Sequence, residues 1–185
     1  MNIYEKCPQL ENDKYLLRLF EQNDLDDLFT IYSNKDVLPF LNSDNCDGDN
    51  FYYSTKEKMQ NALNFWKMSY DNGWFTRLSI IDKNKISTIG TIELCLRVLD
   101  DEFNNMAILR VDVSKENENE EVLFSIFSLI TPHINELLGS KGIITKAPIY
   151  AIDRITALKR SGYTKSNYPL KGKDGIMYYD YWINK

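Results

Sequence analysis

The chain has 185 residues, of which 43% are hydrophobic, 13% aromatic and 26% charged. That length supports one substantial core, so a single domain over 1–185 is expected, and the composition is that of a folded soluble protein, not a disordered segment. The net charge of -5 leaves no cationic surplus to neutralise phosphates, which excludes a nucleic-acid partner and mildly favours a cationic or amine one.

No run of 18 apolar residues occurs, so no membrane partner is expected. The opening MNIYEKCPQLENDK lacks the apolar core of a secretory signal. Cys7, Cys46 and Cys95 are odd in number and widely spaced. They predict free thiols in a reducing cytoplasm and no zinc site.

In chain order, residues 14–20 (KYLLRLF) have the composition of a first strand. Asn23 or Asp24 then caps a helix whose Leu25, Leu28, Phe29 and Tyr32 form one apolar stripe. Residues 39–53, rich in Asp, Asn and Gly, predict a loop. Ser54 and Glu57 have capping-box spacing at the head of a second helix. Its inner face is Met59, Ala62, Leu63, Trp66 and Tyr70, and Gly73 ends it. Strands follow at 74–82, 86–98 and 105–113. A long helix spans 120–138, with Pro132 inside it as an expected kink. A strand at 142–149, a helix at 151–161 stopped by Gly162, and strands at 163–168 and 176–183 complete the chain. This β-α-α-β-β-β-α-β-α-β-β order predicts an α/β fold, a mixed sheet with helices on both faces.

Few segments carry chemistry of their own. The loop Ser43-Asp44-Asn45-Cys46-Asp47-Gly48-Asp49 lacks the first acid and the terminal glutamate of a calcium loop. Two readings remain, a solvated turn or a loop that lines an acceptor site and attracts an amine. His133, the only histidine, has no evident nucleophile or metal partner, and no metal is expected.

The element order resembles the GNAT N-acetyltransferases over essentially the whole chain. The likeness is to the subgroup acting on ribosomal-protein N-termini and small amines. Four segments carry it: Asp36-Val37-Leu38-Pro39-Phe40-Leu41 after the first helix, Ile89-Gly90-Thr91-Ile92 in a glycine-bearing strand, Ala157-Leu158-Lys159-Arg160-Ser161-Gly162-Tyr163 ending the last helix, and the aromatic closing strand at 178–182. The strand-helix-strand pattern predicts that 105–113 and 142–149 are neighbouring, roughly parallel strands, and the resemblance implies a splayed sheet in which they diverge at their C-terminal ends. The resemblance also implies acetyl-CoA as co-substrate, and an amine-bearing small molecule or protein N-terminus as partner. A homodimer is left open by it. The pantetheine arm would pair with the backbone of Val111 and Val113. The diphosphate would lie on amides near Asn117 and Asn119, either of which is able to adopt a left-handed conformation.

Where that family has a glycine-bearing diphosphate loop, residues 111–121 contain no glycine and carry Glu116, Glu118, Glu120 and Glu121. One poorly screened carboxylate about 5 Å from a phosphate costs roughly 3 kcal/mol at an effective dielectric near 20. Weak acetyl-CoA binding follows, unless Lys115, Lys146 or Arg154 folds over the phosphates. The same acids have a simpler use, complementing the dipole of the following helix. The family's helix-opening Asn and its acid Tyr correspond to Ala151 and Leu158, so Tyr150 is the nearest substitute acid. Glu93 and Asp112 are the carboxylates placed to take a proton from the amine. If their strand faces coincide with that of Arg110, a cross-strand ion-pair ladder is the alternative. The rival to an enzyme is a non-catalytic binding or assembly module of the same fold that has lost acetyl-CoA binding.

Overall fold

A computed structural model describes residues 2–185. The chain forms β1 (Leu10–Glu11), β2 (Tyr15–Leu19), α1 (Leu25–Tyr32), α2 (Lys56–Asp71), β3 (Thr76–Asp82), β4 (Ser87–Leu96) and β5 (Ala107–Val113). It continues with α3 (Glu120–Leu138), β6 (Ile143–Lys146), α4 (Ile152–Arg160), β7 (Thr164–Lys165), β8 (Leu170–Lys171), β9 (Met177–Tyr178) and β10 (Tyr181–Asn184). The sheet order is β1-β2-β3-β4-β5-β6-β10-β7, and β8 and β9 form a separate hairpin. The expected mixed sheet is therefore present, with β5 and β6 as its parallel pair.

Three expectations need correcting. The cap of α2 is Thr55, whose side chain accepts from the Lys58 amide at 3.2 Å; Ser54 lies one residue too early and receives the Lys58 ammonium instead. The closing strand is broken between β9 and β10 at Asp180, which adopts φ 66°. The two-residue strands β1 and β8 leave no periodicity for a sequence reading to detect.

Strand alternation sends successive side chains to opposite faces. Leu78, Ile80, Ile92, Leu94, Leu109 and Val111 share one core with α3, whose stripe of Leu123, Ile126, Phe127, Ile130 and Ile134 is fully buried. The helices α1 and α2 build a second core from Leu28, Ile31, Tyr32, Met59, Leu63 and Trp66. The sheet residues in between, Arg77, Ser79, Thr91, Glu93, Arg110 and Asp112, are also buried, but polar. A polar sheet face covered by apolar helices costs stability unless every group is paired. It marks where the site lies.

Two backbone features shape that face. A Cβ on Gly90 would lie 2.1 Å from the Asp112 carbonyl oxygen and 2.8 Å from Val113 Cα, so β4 and β5 approach this closely only because residue 90 is glycine. β5 pairs with β6 from Ala107↔Ile143 to Leu109↔Thr145, and β5 then continues to Val113 without it. The two strands are neighbours, parallel, and part at their C-terminal ends, as expected.

Candidate active site

The faces of β4 and β5 coincide. Thr91 lies opposite Asp112 and Glu93 opposite Arg110, while Arg77 on β3 lies opposite Glu93. The cross-strand ladder forms. Arg77 donates from one nitrogen to Glu93 at 2.5 Å and from the other to Asp112 at 3.1 Å, and Arg110 binds the second Glu93 oxygen. The Tyr32 hydroxyl donates to Asp112 at 2.9 Å and accepts from Arg77 at 2.8 Å. Trp66 and Phe51 flank the Arg77 guanidinium at 4.4 and 5.1 Å. Two arginines and two carboxylates balance in charge. Burial alone would raise the Glu93 pKa, but Arg110 and Arg77 outweigh it and hold the carboxyl below its usual range. Glu93 is therefore ionised and a weak proton acceptor.

Above the ladder is a 630 Å³ cavity, within the roughly 300–1,000 Å³ typical of small-molecule sites. Glu93 and Arg110 are in its floor, with Arg77 beside them. Asn45, Cys46, Asp47 and Asp49 of the α1–α2 loop form one wall, and Phe65, Trp74 and Phe75 another. That loop is pinned at Asp44, whose carboxylate binds Lys146 at 2.7 and 2.6 Å and whose carbonyl accepts from Arg110 at 2.9 Å. Lys146 is thus committed and does not fold over a phosphate. Burial pushes the Cys46 thiol up to about 11 and the Cys95 thiol up to about 12, so neither is a nucleophile at neutral pH.

The groove left by the divergence of β5 and β6 is differently furnished. Arg154 of α4 reaches into it and donates to the Val111 carbonyl at 2.8 Å. Its other nitrogens grip both oxygens of Glu118 at 2.7 and 2.5 Å, and both side chains are buried. Glu118 is therefore a groove residue rather than a first-turn acid; Glu120 and Glu121 are first-turn acids and pair with Arg160. Asn119 is extended (φ -134°) and caps α3 by accepting from the Val122 amide at 3.1 Å. The Asn117 side chain donates to Ser114 at 2.7 Å, and neither asparagine is left-handed. The amides of Asn117, Glu118, Asn119, Val122 and Leu123 all donate within the segment. Among the described residues, at the start of α3, that leaves the Glu120 and Glu121 amides to receive a diphosphate, each beside a carboxylate.

Tyr150 lines a smaller 180 Å³ pocket at that groove with Phe40, Lys115, Glu118 and Arg154. It is exposed, and its hydroxyl donates to the Pro39 carbonyl at 2.5 Å. The candidates thus separate: Glu93 faces the large cavity, Tyr150 the small pocket, and Asp112 lies behind the ladder and lines neither. Arg77 is the central residue that the sequence reading did not single out; Tyr32 was read only as part of an apolar stripe, and Arg154, a candidate to cover phosphates, is committed to Glu118 and the Val111 carbonyl instead. A lone arginine within an apolar strand was the available signal. His133 is exposed on α3. Among the described residues no three potential metal ligands cluster, and no helix is long and apolar enough to cross a membrane.

No model of a known family matches this sequence, and no curated protein matches it. Solved structures do. A GNAT-family acetyltransferase from Bacillus anthracis superposes with a TM-score of 0.68 at 14% identity, over 95% of this chain and 96% of that one. The ribosomal-protein-S5-alanine acetyltransferase of Vibrio fischeri has a TM-score of 0.68 at 14% identity, over 95% and 94%. The spermidine N-acetyltransferase of Vibrio cholerae, in complex with CoA and spermine, has a TM-score of 0.64 at 11% identity, over 93% of each chain. The fold is therefore that of the GNAT acetyltransferases, as the sequence resemblance implied.

Proposed function

We propose that the protein is an N-acetyltransferase that moves an acetyl group from acetyl-CoA to a primary amine on a small molecule or a protein N-terminus. The observation that carries this is positional. The large cavity is floored by Ile108 and Arg110 of β5, the residues that straddle the last parallel pair before β5 leaves β6. An amine in the cavity therefore abuts the divergence through which this fold admits its donor. The neighbours of known activity act on a polyamine in one case and on a ribosomal protein in another, which supports an amine acceptor.

On this reading Glu93 orients the ammonium and takes its proton, weakly, because two guanidiniums already hold it. Asp112 positions Arg77 and Tyr32 behind it. Tyr150 is the proposed proton donor on the donor side. Val111 and Val113 are the backbone proposed for the pantetheine arm, and Asn117 and Asn119 are proposed to flank the diphosphate, although their own amides are spent within the segment. A second reading, a binding module of the same fold that takes no acetyl-CoA, is favoured by one observation: Arg154 already occupies the Val111 carbonyl, with Glu118 beside it. Calorimetric titration with acetyl-CoA, followed by an assay of thiol release with amines, decides between them. The enzyme reading expects a dissociation constant on the order of 0.1 mM or weaker, equivalent to roughly -5.5 kcal/mol or less favourable, with turnover. No binding at millimolar acetyl-CoA establishes the second reading.

A further inference from the structure

The large cavity is polar at one end and apolar at the other. Its inner end is the row Arg77–Glu93–Arg110, against which the Asp44 carbonyl pins the α1–α2 loop. Moving along β4 to Cys95 and Arg97 takes two residues per step, about 6.6–6.8 Å each, toward the outer end. There the walls are Phe65, Trp74, Phe75, Leu96 and Val98. Phe65, Trp74 and Val98 are 49%, 56% and 70% exposed, an apolar rim that none of the described residues covers.

The carboxylates lining the cavity are Glu93, Asp47 and Asp49, and all three belong to the inner end or its loop. Two further cations line the cavity, Arg97 at the outer end, paired with Asp101, which is outside the lining, and Lys173. Trp66 of the lining already stacks on Arg77. Glu93 is shared between two guanidiniums, so the surplus negative charge that an ammonium at the inner end would meet is that of Asp47 and Asp49. A second ammonium several carbons away would lie beside Arg97 and apart from every carboxylate of the lining, where like charge disfavours it.

We infer that the acceptor is an amphipathic monoamine: one primary ammonium on an aromatic or bulky apolar body, not a polyamine. This rests on the acetyltransferase reading only for what happens to the amine once bound. The ammonium lies at the Glu93 end beside the divergence of β5 and β6, and the apolar body lies against Trp74 and Phe65.

Calorimetry on the full chain tests it with 2-phenylethylamine, spermidine and a short peptide with an apolar N-terminal residue, each also assayed for acetyl transfer. The expected result is 2-phenylethylamine binding at least ten-fold tighter than spermidine. Trp74→Ala should weaken that binding at least five-fold without moving the thermal midpoint, because the ring is half exposed. Phe65→Ala is the second variant, should the first fail to fold. Equal or tighter binding of spermidine overturns the inference, as does binding of the peptide alone, binding of no amine, or indifference to both substitutions. A monoamine that binds without being acetylated upholds the inference and removes the enzyme reading. Acetylation confined to spermidine does the reverse.

Discussion

Glu93 carries opposing demands at the residue scale. It is buried, and both its oxygens are held by arginines, which makes it structural as well as chemical. Glu93→Gln keeps the shape and removes the charge, leaving two guanidiniums under-compensated. If Glu93 takes the amine's proton, kcat/KM should fall by roughly 10²–10⁴-fold. A profile that stays at the wild-type level would remove Glu93 as the base while leaving the ladder intact. Because its folded pKa is lowered, the residual wild-type pH profile should show no inflection near neutrality. Rates should instead climb with pH toward the pKa of the amine itself. The thiols offer a simpler check. With Cys46 near 11 and Cys95 near 12, both raised first by burial, alkylation of the native protein at pH 7.5 should be slow and should accelerate on unfolding.

At the scale of elements, α4 and the α3 entry segment are joined by Arg154 and Glu118. The pair takes part of the β5 edge that an extended ligand would otherwise use. Removing one partner leaves an uncompensated buried charge, so Arg154→Ala should destabilise by about 3–5 kcal/mol in denaturant titration. The double change Arg154→Met with Glu118→Gln should recover most of that loss, because it removes both charges together. The double variant also frees the Val111 carbonyl and the groove. If the pair is what limits the donor, acetyl-CoA should bind it more tightly than it binds the wild type. Gly90→Ala tests the β4–β5 contact. With a Cβ only 2.1 Å from backbone, the strands must separate, at a cost of about 1–3 kcal/mol or more.

The molecule as a whole carries several carboxyls whose pKa is held low by folding. Asp24 is raised by burial but lowered further by Arg18, Ser79 and the Glu21 amide, and Asp101 is likewise lowered by Arg97 against its own desolvation. Glu93 behaves the same way. Each contributes stability that is fully present above its unfolded pKa, near 3.8 for Asp and 4.5 for Glu, and is lost as pH falls through the folded value. The thermal midpoint should therefore hold between pH 5 and neutrality and drop steeply below about pH 4. A midpoint that rises on acidification would contradict the ladder's charge assignment.

Most of the elements were legible in the chain because their signals are local. The stripe of α3 from Leu123 to Leu137 and its end at Gly139 depend only on near neighbours and on one left-handed turn. The parallel pairing of β5 with β6 followed from the strand-helix-strand pattern. Glu93 and Arg110 could be placed on candidate strand faces, but whether those faces met depended on register, which is a property of two strands 17 residues apart. Arg154 and Glu118 lie 36 residues apart, and no spacing rule links them. Their union in the groove, and the closing of the α3 entry by Asn119, depends on how α4 packs against α3. The sequence by itself determined which segments are helix or strand and that residues 111–121 lack the glycines of the loop they resemble, because those are matters of composition and period. Tertiary structure alone decided that an ion pair occupies the groove between β5 and β6 and that an aromatic-walled cavity stands open on the other side. Burial, pairing and cavity shape belong to residues brought together by folding, and folding sums many weak contacts that no single segment contains.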